Sequence, residues 1–413
     1  MIYVKKKAFF TIEYSYEKMY FTGMNKKRKF LLDKPGFQLT PNDFLFFIGS
    51  CFSENISSYL KEIGIDSFSN PYGTVYNTFS IYNTIKDILE LRKYDEADLC
   101  FYNGVYYSLN HSGFFNSKDK DELLQTINST VVSMNYILKK STVIVITPGS
   151  SVVYEYKGDI VANCHRIPAK EFEERLQYVD EVVLNLIQLQ LLLDVYMPNI
   201  KIIYTISPVR HYPDRLRLNT ISKSVLNIAI DTVCKETGSY YFPSYEMVLD
   251  QLSDYSYYEK DLIHINKKAI SFVMKRFKDN FFSDALFHYT ELFIKIKKML
   301  SHKSFNPSSE DTFILLEKVV EMILLLENKK SSDQINRLKI VVSYRLIRYF
   351  KNNQHTDALL NKLLKNNDLE IALKLLNFVK NIHSFENIDY NSLNKYYKQI
   401  VKEYLVAKLS CIK

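Results

Sequence analysis

The chain has 413 residues, 47% of them hydrophobic and 24% charged, with a net charge of +8. This is globular composition, long enough for two domains and a short extension, and it excludes a disordered or fibrous chain. The use of 32 Tyr and 27 Phe but no Trp reads first as compositional bias and only second as aromatic platforms for sugars. Much of the positive charge sits in Lys5, Lys6, Lys7, Lys26, Lys27, Arg28 and Lys29 and in the C-terminal third. No recognition motif accompanies it, so a solvated surface and no nucleic-acid partner are expected. The five cysteines, at 51, 100, 164, 234 and 411, are odd in number and widely spaced. That argues against a disulfide framework and for a reducing compartment, with a cytoplasmic location expected. No run approaches the roughly 18 apolar residues of a membrane span. The N-terminal stretch lacks an apolar region followed by a small-residue cleavage site, so no signal peptide is expected.

Phe44 to Ile48 is a continuous apolar run, as in a strand buried on both faces. Phe52, Ile56, Leu60 and Ile63 then recur at helical spacing, and Gly64 suits the helix end. A weaker strand signal follows at 65–68. The run "TVIVIT", 142–147, is a second buried strand and ends in Pro148-Gly149-Ser150. The spacing predicts a helix over 178–196, stopped by Pro198, then a strand over 202–206 ending at Ser207-Pro208. A helix near 222–236 closes at Gly238, and a short strand over 240–242 ends at Pro243. Strand and helix in alternation predict a parallel sheet with helices on both faces. In such sheets functional groups gather at the carboxyl ends of the strands. From about Glu291 leucine, lysine and asparagine dominate. The segments "TFILLEKVVEMILLLE" and "ALLNKLLKNNDLEIALKLLNFVK" read as helices. One helix-turn-helix unit is too few for a solenoid, so a helical appendage is expected.

Ser50 and Cys51 stand where the first strand gives way to its helix. There the backbone N–H groups are unpaired and the helix dipole is positive. Ser50 is either a nucleophile or an N-cap serine. Cys51 is a second candidate, because a helix N-terminus lowers a thiol pKa. A nucleophilic serine needs a base and an orienting carboxylate. His264 in "YYEKDLIHINKKAI" has Asp261 three residues before it, and the pair lies after the last strand. Asn163, His165 and Arg166 form a dense polar loop. Ser207, Arg210 and His211 follow the strand at 202–206, and Arg210 suits an anionic substrate group. Tyr154 and Glu155 are candidate rim residues. A metal site built from Cys164, His165 and His211 has no ligand spacing behind it.

The segments "IGSCFSENI", "NPYGTVYNT", "VANCHRIP", "SPVRH" and "YFPSYEMVLD…DLIHI" resemble the GSCFA family, a branch of the SGNH (GDSL-like) hydrolases. The resemblance covers about 40–285 and implies a three-layer α/β/α, flavodoxin-like fold. The expected division is an extension at 1–36, a hydrolase domain at 37–288 and a helical region at 289–413. The resemblance implies Ser50 as nucleophile, His264 as base and Asp261 as orienting acid, with Cys51 facing the packing side. It implies Gly73 as an oxyanion donor. The usual third-block Asn, from a G-x-N-D motif, is absent: Thr147-Pro148-Gly149-Ser150-Ser151 stands there, which leaves Asn163 and Asn77 as oxyanion candidates. Ser53 replaces the alanine that gives the family name its last letter. His165, Arg210 and His211 are expected to bind substrate. The implied activity is hydrolysis of an O-acyl ester, possible substrates including O-acetylated saccharides, with no cofactor and no metal. The alternatives are acyl transfer to a sugar hydroxyl by the same residues, and a degenerate scaffold whose helical tail binds a partner.

Overall fold

Five short parallel strands form the centre of the computed structural model. They are β1 (Leu45–Gly49), β2 (Ser67–Ser69), β6 (Val143–Thr147), β10 (Lys201–Tyr204) and β11 (Tyr240–Tyr241). The structure describes residues 32–363 except 213, 253–254, 302–305, 331 and 351–354. The basic N-terminal segment, Cys411 and the tail helices beyond 363 lie outside the described residues. The chain divides at Gly36, and everything below concerns the unit that starts at Phe37.

The strand order is β11-β10-β6-β1-β2, with every pair parallel. Counted within the sheet this is 2-1-3-4-5, the flavodoxin order, which reverses direction between β1 and β6. At that switch point the connections leave β1 and β6 toward opposite faces and open a crevice at their carboxyl ends.

β1 and β6 are buried along their whole length, as two-faced burial of an unbroken apolar run requires. Phe46, Ile48, Ile144, Ile146, Ile202 and Tyr204 point to one face. There they meet α2 (Thr78–Leu89), α3 (Lys120–Lys139), α4 (Val179–Tyr196) and α5 (Leu216–Thr237). Leu45, Phe47, Val143 and Val145 point the other way and are equally buried. On that side α1 (Cys51–Glu62) turns Phe52, Ile56 and Leu60 inward and packs on α6 (Lys267–Phe281). Each such side chain removed from water stabilises the fold by about 1.5–3 kcal/mol. The result is the expected three-layer α/β/α core.

Two parts of the chain went unread in the sequence. One forms an antiparallel sheet of β3 (Cys100–Tyr102), β4 (Val105–Tyr107) and β5 (Asn116–Ser117). The other forms a sheet of β7 (Val152–Tyr156), β8 (Asp159–Val161) and β9 (Phe172–Leu176). Helix α5 starts six residues before the position its periodicity suggests and ends at Gly238, whose φ of +72° makes the left-handed stop.

The C-terminal region is helical: α7 (Asp284–Ser301), α8 (Glu310–Glu327), α9 (Asp333–Phe350) and α10 (Thr356–Leu363). α7 runs unbroken through residues 288 and 289. It meets the sheet domain at Gly64, where a Cβ would lie 2.5 Å from the Phe293 ring. Gly64 therefore serves two ends, the termination of α1 and the seating of α7. Lys330 extends this contact with an ion pair to Asp66 at 2.9 Å.

Candidate active site

The site grows from the end of β1. Gly49 has φ +138°, and a Cβ there would lie 2.1 Å from the Thr147 carbonyl oxygen. Only glycine fits, and the close approach brings the ends of β1 and β6 together. Ser50 follows as the N-cap of α1, and its Oγ accepts from the Phe52 N–H at 3.3 Å. Its side chain is fully shielded from solvent. Asn70, after β2, fastens the turn. Its Oδ1 accepts from Gly49 N–H at 2.9 Å, and its Nδ2 donates to the Ser50 carbonyl at 3.3 Å and to Glu54 at 3.0 Å. Asn70 itself adopts φ +47°, a conformation asparagine tolerates.

Asp261 and His264 stand on the turn that leads into α6. Asp261 Oδ1 accepts from the N–H groups of Ile263 at 2.9 Å and His264 at 3.0 Å. Its Oδ2 meets His264 Nδ1 at 2.7 Å. The His264 ring bond and these two backbone bonds hold the carboxyl down at about 2, so it is ionised at neutral pH. His264 Nε2 has no hydrogen-bond partner among the described residues. Two backbone bonds hold the turn, Glu259 N–H to His264 O at 2.7 Å and Arg210 N–H to Ile263 O at 3.2 Å. No hydrogen bond joins Ser50 to His264 among the described residues.

With the strand-end serine, the Asp-His turn and the switch-point crevice in one sheet, the GSCFA family model matches residues 44–277. The chain belongs to the GSCFA family. The match spans more than half of the chain and takes in every residue of the site. A search of curated proteins found no match.

The other expected residues of this GSCFA chain divide between the site and its supports. Gly73 has φ +86°, and its N–H donates to Asn70 O at 2.9 Å. A Cβ there would lie 2.2 Å from Ser112 Oγ, a buried hydroxyl with no partner among the described residues. Asn77 caps α2, its Oδ1 accepting from Ser80 N–H at 2.7 Å. Asn163 Oδ1 accepts from His165 N–H at 2.7 Å, and the His165 ring bonds the Ser108 carbonyl at 2.7 Å. Both lie on the loop after β8 and hold it to the segment around Ser108. Arg210 reaches the Asp-His turn through its backbone, while its guanidinium stacks on Tyr258 at 4.4 Å and Tyr255 at 5.2 Å. Tyr154 meets Glu174 and Tyr212 rather than the serine turn. Cys164 and His165 follow β8, His211 follows β10, and no group of three metal-ligating side chains forms among the described residues.

Cys51 departs from the expectation of a lowered thiol pKa. Burial first, and then the charge of Glu54, push it up to about 11. The helix dipole does not outweigh them, and at neutral pH the side chain is a thiol.

Two residues of α5 escaped the sequence reading. Ser222 Oγ accepts from Ser151 N–H at 2.8 Å. Lys223, fully buried, donates to Gly149 O at 2.7 Å and Ser207 O at 2.6 Å. It ties the loops after β6 and β10 together, and burial pulls its pKa down to about 7. The signal was present: Lys223 lies in the helical stripe with Leu226, Ile230 and Val233, on the apolar side. A separate cavity of about 570 Å³ is lined by Asn83, Arg92, Asp98, Phe101, Asn110 and Tyr156 among others, and by no member of the Ser-His-Asp set. No helix among the described residues is long and apolar enough to cross a membrane.

Proposed function

We propose that this GSCFA protein is a serine acyl hydrolase of the SGNH type, acting on O-acyl esters. The observation that carries the reading is the Asp261–His264 contact at 2.7 Å, which leaves Nε2 unpaired on the same domain as a strand-end serine. Ser50 Oγ attacks the ester carbonyl while His264 Nε2 takes its proton. Asp261 holds the tautomer with the proton on Nδ1 and stabilises the imidazolium. His264 then returns the proton to the leaving alcohol, and water releases the acid from Ser50. Full shielding of Ser50 favours a short acyl group such as acetyl. O-acetylated saccharides, the substrates the superfamily resemblance suggests, fit that size. Residues 37–288 would form the catalytic domain and 289–413 its helical appendage, in the cytoplasm.

One observation favours a non-enzymatic reading: the Ser50 and Gly73 N–H groups both donate within the fold already. Labelling with a fluorophosphonate and turnover of short p-nitrophenyl esters decide between the two. The hydrolase reading expects Ser50 to be labelled and Ser50→Ala to lose about 10⁴-fold or more in turnover. Full turnover by Ser50→Ala sinks it. Adding a sugar acceptor separates hydrolysis from transfer, because transfer yields an acylated glycan instead of free acid.

A further inference from the structure

Attack on an ester carbonyl by Ser50 creates a negative oxygen, which needs hydrogen-bond donors already in place. Four backbone donors around the serine turn are engaged. Ser50 N–H bonds Thr147 O at 3.0 Å, and Gly73 N–H bonds Asn70 O at 2.9 Å. Gly149 and Ser150 N–H both bond Tyr76 O, at 2.8 and 3.1 Å.

His211 is placed differently. Its Nε2 is shielded from solvent and has no hydrogen-bond partner among the described residues. The ring stands over Gly149: a Cβ at that position would lie 2.4 Å from Nε2. Gly149 needs no left-handed backbone, so glycine is required here for space alone. Tyr76 clamps the ring edge-on at 4.2 Å, and the same residue's carbonyl holds the loop at Gly149. Burial first, then the charges of Lys223 and His264, push the imidazole down to about 3, so it stays neutral. A neutral imidazole carries one N–H, and it does not compete with His264 for the serine proton.

We propose that His211 is a catalytic residue whose Nε2–H donates to the oxyanion formed when Ser50 attacks, a role that rests on the serine acyl hydrolase reading. The Oγ–C bond forms, the carbonyl pair moves to oxygen and the serine proton goes to His264. His211 keeps its own proton throughout. With the neutral ring's proton on Nε2, His211 is a buried donor without a partner among the described residues, available without first breaking a bond. The engaged backbone N–H groups are not.

The test is p-nitrophenyl acetate turnover by the full chain and its variants. His211→Phe keeps a flat ring without a donor, and kcat is expected to fall about 10²–10³-fold with KM little changed. His211→Gln restores an N–H donor and should recover a large part of the loss. Gly149→Asn with His211→Ala offers an amide from the other side of the same space and should exceed His211→Ala alone. Wild-type kcat in His211→Phe overturns the proposal. Equal losses in the Phe and Gln variants at unchanged melting temperature do so too. If His211→Phe does not fold, the double variant decides, and no gain over His211→Ala overturns the idea. An active Ser50→Ala removes the hydrolase reading itself. An inactive Ser50→Ala beside a fully active His211→Phe removes only this inference.

Discussion

At the amino edge of the central sheet Asp43 collects hydrogen bonds from the Thr40 N–H at 2.7 Å and hydroxyl at 2.9 Å. It also takes the Thr142 hydroxyl at 2.7 Å and the Lys201 ammonium at 3.2 Å. Asp66, at the start of β2, pairs with Lys330 of the helical region. Apart from Asp66 Oδ1, the side-chain atoms of these residues are not among the buried groups left without a partner. At the carboxyl edge Thr147 Oγ1, Ser112 Oγ and His211 Nε2 are all buried without a partner among the described residues. A buried polar atom left unpaired costs about 1–3 kcal/mol, so such a cluster weakens the fold. The same strands thus carry a nearly saturated edge that fastens the sheet and an unsaturated edge that keeps donors for something else.

The largest expected effect comes from forcing a side chain between the two strand ends. Gly49→Ala sets a Cβ against the Thr147 backbone at a φ of +138°. Neither strand end can give way without breaking the ladder, so the variant should lose about 4 kcal/mol of stability and nearly all turnover. A urea midpoint equal to wild type would show that the carboxyl edge is not strained as described. Breaking the saturated edge should act on stability alone. Asp43→Ala is expected to lose about 2–3 kcal/mol, with turnover per folded molecule unchanged. Burial raises the Asp43 pKa, but the Thr40 N–H, the Thr142 and Thr40 hydroxyls and Lys201 together outweigh it and lower it below 3.8. A carboxyl held below its unfolded value stabilises the fold above that value and stops doing so as pH falls through the folded one. The difference between wild type and Asp43→Ala should therefore be steady above pH 3.8 and shrink below it. Urea unfolding at several pH values measures this, and a difference that grows with acid rejects the assignment.

The two edges were unequally legible in the sequence. Long apolar runs such as Phe44 to Ile48 announce buried parallel strands, and α1 and α4 follow from their helical spacing. The antiparallel sheets were missed because their strands carry no long apolar run. Their turns did leave a mark. Asn103-Gly104 and Lys157-Gly158 both have positive φ at each residue, the geometry of two-residue hairpins. Asp261 and His264 were readable because both partners sit in one turn, three residues apart. The relation of His211 to Gly149 was not, since it joins the loops after β6 and β10 and depends on an absent side chain. Asn70 and Lys223 act across elements in the same way. A residue whose partner lies far off in sequence gives no local pattern.

Lys223 offers the finest test of the contrast, because it is a saturated group placed beneath the unsaturated edge. Its ammonium satisfies Gly149 O and Ser207 O, yet a fully buried charge is costly to desolvate. Lys223→Met removes both contributions, so the net change near pH 7 should be small. The pH dependence is where the variant should differ. With a folded pKa of about 7 against an ordinary 10.5, the unfolded chain holds this proton more tightly than the folded one between those values. Wild-type stability therefore gains a positive slope with pH in that window, which Lys223→Met lacks. Groups far from residue 223 cancel when the two proteins are compared. The stability of wild type relative to Lys223→Met should rise steadily from pH 7 toward pH 10 in urea unfolding. A flat difference would mean that the two carbonyls hold the ammonium charged at no net cost, which would make it a purely structural tie between the loops after β6 and β10.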